Sequence, residues 1–81
     1  MTPEKAFGEV LLELRRERKL SQEKLAEMSN CTRPYISYLE RGRNSPSLSM
    51  LFSISAALGM EPTEIIRRIR QRMAEAADCQ H

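Results

Sequence analysis

The chain has 81 residues, room for one small domain, and 41% of them are hydrophobic, the balance of a folded globular chain rather than a disordered one. The formal net charge is only +2. Two cysteines, Cys31 and Cys79, are too few for a disulfide framework, no zinc spacing occurs, and no apolar run approaches the roughly 20 residues that span a bilayer. The opening "MTPEKAFGEV" lacks the basic segment and long apolar stretch of a secretion signal, so the expectation is a reduced, soluble, cytoplasmic protein. A core this small stabilises only modestly, so a partner subunit is expected.

Helical periodicity dominates, without strand alternation of useful length. Thr2 and Pro3 form a cap-then-proline start, and Phe7, Val10, Leu11 and Leu14 then recur at helical spacing, predicting a first helix to about Lys19. Ser21 caps a short second helix, "QEKLAEM", whose apolar side is Leu25, Ala26 and Met28. Asn30 suits a left-handed position that ends it. A third helix, "RPYISYLER", follows and stops at Gly42. Thr32 is a good cap for it, whereas Pro34 disfavours a helical Arg33 and points to Arg33 as the cap. On either choice Pro34 falls in the first turn, where a missing N–H costs little. Pro46 and Ser47 open a fourth helix with Leu48, Leu51, Phe52, Ile54 and Leu58, closed by Gly59. Pro62 opens a fifth, with Ile65, Ile66, Ile69 and Met73. One domain is expected over residues 1–75, with a frayed tail over 76–81. The fold class is all-α, with five helices, and the short break between helices two and three is a helix-turn-helix spacing.

The arginines are grouped. "RRERKLSQEK", residues 15–24, carries five cations and two carboxylates; Arg41 and Arg43 form a second cluster and "RRIRQR", residues 67–72, a third. Alone, such clusters are ordinary solvated faces. No pair of histidines is present to build an acid–base or metal site, because His81 stands alone at the C-terminus. No enzyme, cofactor, metal or small-molecule ligand is therefore expected.

"SQEKLAEMSNCTRPYISYLERGRNSPSLSMLFSISAALGM" resembles the helix-turn-helix domains of the phage lambda repressor and Cro class, the XRE family, over roughly residues 8–70. The pattern is Ser21-Gln22, Leu25-Ala26, a turn, Ile36, Leu39-Glu40, Gly42 and then Pro46. Within that family, "SNCTRPYISYLERGRNSPSLSMLFSI" looks most like the small controller proteins of restriction–modification systems, although Thr32 replaces an acidic cap and Pro34 a threonine. The resemblance implies a DNA-binding transcriptional regulator that inserts helix three into the major groove as a homodimer on double-stranded operator DNA. Phage-type repressors and antitoxin-like proteins that neutralise a protein partner are the alternatives.

The resemblance also assigns residues. Gln22 would bond a phosphate and brace the start of helix three. Arg33 would read a base, since its fork matches guanine O6 and N7. Pro34 is either an apolar contact to a thymine methyl or simply a helix-start residue. Thr32 is counted with the DNA-contacting residues, Ser37 would read a base or a phosphate, and Tyr35 and Tyr38 would either reach phosphate or pack on helix two. Arg41, Arg43, Asn44 and Ser47 would hold the backbone. Arg15 and Glu40 would form a structural ion pair, and Cys31 would be core. Ile65, Ile69 and Met73 are expected to close the core on one side and meet a second copy on the other.

Overall fold

The computed structural model describes residues 1–79, and within them the regular elements are all helices: α1 Pro3–Glu17, α2 Gln22–Met28, α3 Arg33–Glu40, α4 Leu48–Leu58 and α5 Pro62–Cys79. Each of the first four helices begins at the hydroxyl of a Ser or Thr. Thr2, Ser21, Thr32 and Ser47 each accept a hydrogen bond from the backbone N–H three residues on, satisfying one donor that the helix itself leaves unpaired. Thr32, not Arg33, caps α3, so Pro34 is its second residue. The Thr32 hydroxyl serves Tyr35, and the N–H that Pro34 lacks would have had no helical partner.

The same four helices end alike. A left-handed residue follows each one: Lys19, Asn30, Gly42 and Gly59, with φ of 56°, 59°, 72° and 69°. The N–H after it reaches back five residues, as in Leu20 to Arg15, Cys31 to Ala26, Arg43 to Tyr38 and Met60 to Ser55. This closure pairs the last carbonyls and folds an apolar side chain back onto the helix. Leu20, Cys31 and Met60 all pack against the core in that way. Cys31 is accordingly half-buried at the core's edge rather than inside it.

The core gathers Phe7, Val10, Leu11 and Leu14 from α1, Leu25 and Ala26 from α2, Ile36 and Leu39 from α3, Leu51, Ile54 and Leu58 from α4, and Ile65 from α5. Helix α1 packs on α3 and α5, α2 on α3 and α4, and α4 on α5. Gly8 allows the α1–α3 approach: a Cβ there would stand 2.5 Å from the Leu39 carbonyl oxygen. Arg72 of α5 pairs with Glu9 and Glu13 of α1, and the Arg18 side chain donates to the Leu58 carbonyl at the end of α4.

Four sequence expectations change. Leu48 and Phe52 are 72% and 56% exposed, so the α4 core stripe is Leu51, Ile54 and Leu58. Met28 is also exposed, because α2 is short enough to bury only Leu25 and Ala26. Ile65 is 1% exposed inside this chain's own core and is unavailable to a second copy, whereas Ile66 turns outward. Helix α5 continues to Cys79, beyond the expected end at residue 75. The Cys79 side chain, Gln80 and His81 lie outside the described residues.

Candidate nucleic-acid interface

Helix α3 buries Ile36 and Leu39 and leaves the opposite side to solvent. Arg33, Pro34, Tyr38 and Arg41 are exposed and Ser37 half-exposed. These positions repeat at helical spacing, so they form one stripe along the helix. At its far end the Arg41 guanidinium lies 5.5 Å above the Tyr38 ring, a cation–π stack that orders both side chains. Tyr35 lies off the stripe and packs against the core. Burial, and then the nearby Cys31, push its hydroxyl above the usual phenol range, and burial likewise raises the Cys31 thiol. Packing on the fold is thus one of the two roles expected of Tyr35. Thr32 is exposed, with its hydroxyl engaged as the cap.

The stripe is held in place from behind. Arg15 of α1 donates from Nε to Glu40 Oε2 at 2.6 Å and from Nη2 to Oε1 at 3.1 Å, and its Nη1 donates to the Leu20 carbonyl at 2.8 Å. The pair is nearly buried, with side-chain exposures of 12% and 5%. Gln22, at the start of α2, donates to Glu40 Oε1 at 2.9 Å and accepts from Arg33 Nη1 at 3.4 Å. One cluster therefore ties the end of α1, the start of α2 and both ends of α3. The Gln22–Glu40 bond was not foreseen from the sequence, since nothing in the spacing of those two residues marks it.

Arg43, Asn44 and Ser47 are exposed in the loop that leads from α3 to α4. Asn44 Oδ1 accepts from the Ser45 N–H at 3.0 Å and stiffens the loop. The Ser47 hydroxyl caps α4, whose first N–H groups point out of the helix end, an arrangement that suits a phosphate. Three of the four α5 arginines are different: Arg67 and Arg68 pair with Glu64, holding its carboxyl below the usual range mainly through the Arg67 hydrogen bond, and Arg72 is spent on α1, whereas Arg70 is exposed. Among the described residues no cluster of His, Cys, Asp and Glu is arranged for a metal, and no helix is long and apolar enough to cross a membrane.

A family model described as "Helix-turn-helix" matches residues 11–65, which takes in α2, α3 and the core helices around them. The chain belongs to the helix-turn-helix family. This helix-turn-helix chain is 39% identical over 71 residues to the immunity repressor protein of Bacillus phage phi105, covering 84% of this chain and 49% of that protein, so it spans about half the length of that relative. It is 39% identical over 61 residues to the control protein C.BamHI of Bacillus amyloliquefaciens, covering 74% of this chain and 75% of that one. The clp gene regulator ClgR of Corynebacterium glutamicum superposes on it with a TM-score of 0.94 at 30% identity, over 99% of this chain and 85% of that structure. The expected resemblance thus holds at the level of family and fold.

Proposed function

We propose that this chain is a sequence-specific transcriptional regulator that binds double-stranded operator DNA as a homodimer, with α3 in the major groove. The exposed stripe of Arg33, Pro34, Ser37 and Tyr38, on the second helix of a helix-turn-helix, is the observation that carries this reading. An α-helix fits the major groove and meets base edges with its N-terminal residues, where Arg33 stands. Arg43, Asn44, Ser47 and the N-terminus of α4 take the phosphate backbone beside it. The protein works by binding, in the cytoplasm, without cofactor or catalysis.

Control of a restriction–modification operon is the preferred role, supported by the likeness to C.BamHI along 75% of that protein. A phage-type repressor is the second reading, favoured by the likeness to the phi105 protein. Dimerisation is supported by apolar surface left over after the core is made. Leu48, Phe52 and Ile66 are exposed, and Ile66, Ile69 and Met73 line a shallow hollow of about 390 Å³ between α5, the start of α1 and the loop before α4. This surface replaces the expected one, with Leu48, Phe52 and Ile66 in place of Ile65.

Selection of the bound site from random DNA, followed by affinity measurement, tests the proposal. Arg33→Ala should lower affinity for the selected site by about 1–3 kcal/mol and relax preference at one base pair. Arg43→Ala should weaken selected and random DNA alike. Failure of the wild type to select any site would overturn the regulator reading.

A further inference from the structure

The Arg15–Glu40 pair has a third partner that a simple structural ion pair does not need. Glu40 has acceptors only, and Arg15 already occupies both its oxygens. Its Oε1 nevertheless accepts a second bond, from Gln22 Nε2 at 2.9 Å. An amide that gives its NH₂ to a carboxylate turns its carbonyl oxygen the other way. There, Gln22 Oε1 accepts from Arg33 Nη1 at 3.4 Å, the long end of hydrogen bonding. The opposite amide orientation would set a carbonyl oxygen against the carboxylate and an NH₂ against the guanidinium, which is repulsive at both ends. The amide is thus polarised between a nearly buried anion and an exposed cation, and its second N–H stays free for a phosphate.

We propose that Glu40 is a positioning residue for base recognition: through the Gln22 amide it sets where the Arg33 guanidinium stands before DNA arrives. This rests on the reading of Arg33 as the base reader. An unrestrained arginine gives up rotamer freedom when it binds and adapts to several bases. One anchored at Nη1 loses less, and its remaining N–H groups face one direction. The match then holds for the base whose acceptors lie there and fails for the others. Glu40 would therefore act on preference between bases, beyond any effect on folding.

The test measures the wild type, Arg33→Ala, Glu40→Gln and Gln22→Met on the selected operator and on that operator with one base pair exchanged, the pair that Arg33→Ala ceases to discriminate. Glu40→Gln keeps the size of the side chain but leaves one oxygen for three donors. Gln22→Met leaves the Arg15–Glu40 pair intact and removes the amide between it and Arg33. Each is expected to reduce the preference by about tenfold, and neither should reduce it further when combined with Arg33→Ala. If thermal melting finds Glu40→Gln unfolded, Gln22→Met decides. Equal weakening on both DNAs, with the preference intact, would overturn the inference while leaving Arg33 as the reader. If Arg33→Ala itself leaves every base preference unchanged, the Arg33 reading fails and the inference falls with it.

Discussion

Gly8 lies inside α1, where glycine costs about 1 kcal/mol relative to alanine in an unpacked helix. Here the sign reverses, because an added Cβ would meet the Leu39 oxygen at 2.5 Å and the Glu40 oxygen at 2.7 Å. Both atoms are backbone, so they yield only if α3 shifts. Gly8→Ala is expected to destabilise the domain by about 1–3 kcal/mol and to lower the melting temperature by roughly 4–8 °C for each kcal/mol. An unchanged melting temperature would show that α3 moves freely. Lys19 presents the converse case: it adopts φ 56° without being glycine. A left-handed side-chain residue costs about 1–2 kcal/mol, partly offset by the greater freedom of glycine in the unfolded chain. Lys19→Gly should therefore stabilise by up to about 1 kcal/mol in urea unfolding. Nothing in "RERKLSQ" announces this role for Lys19; the backbone assigns it because Leu20 must fold back onto the core.

At the scale of the element, the starts and stops of helices were legible because each is a local transaction. A Ser or Thr hydroxyl reaches an N–H three residues away, and Asn or Gly relieves a left-handed turn. Those interactions need no tertiary partner, so Thr2, Ser21, Asn30, Gly42, Ser47 and Gly59 could be placed from sequence. Ser47 has two roles that can be separated. Alanine removes the cap at a cost of about 1 kcal/mol, whereas glycine costs only a few tenths, and both remove the hydroxyl. If Ser47 also holds a phosphate, Ser47→Ala and Ser47→Gly should lose DNA affinity to the same extent while differing in thermal stability. Affinity that instead tracks stability would confine Ser47 to capping.

For the molecule as a whole, the question is what covers Leu48, Phe52 and Ile66. A single recognition helix reads only a few base pairs, and a twofold pair sets two such helices on half-sites about 34 Å apart. Phe52 is the better probe than any α5 core position, because it is 56% exposed and its replacement leaves the core intact. Phe52→Asp would bury unpaired charge on both sides of a twofold interface. It is expected to melt like the wild type, to sediment as a monomer and to lose operator affinity sharply. A wild type that is already monomeric at micromolar concentration, free and on DNA, would refute the dimer. Affinity should also fall with salt, log affinity dropping by about 0.9 per log unit for each phosphate contacted, and a flat response would contradict the use of Arg43 and its neighbours on the backbone.

The sequence by itself determined the number of helices, nearly all their boundaries, the inward faces of α1 and α3, and hence the stripe from Arg33 to Arg41. These follow from periodicity and capping, which act over three or four residues. Tertiary structure alone decided which apolar residues stay outside. Leu48, Phe52 and Ile66 are apolar like Leu51, Ile54 and Ile65, and only the way α4 packs on α2 and α5, and α5 on α1, sorts them. It also decided that Tyr35 packs on the core and that Gln22 bridges Glu40 and Arg33. Such contacts join residues that are 11 and 18 positions apart, as in Arg33–Gln22 and Gln22–Glu40, and the Arg15–Glu40 pair beside them was expected only from the family resemblance. No local pattern encodes them, because the distance between their side chains is set by how three helices cross.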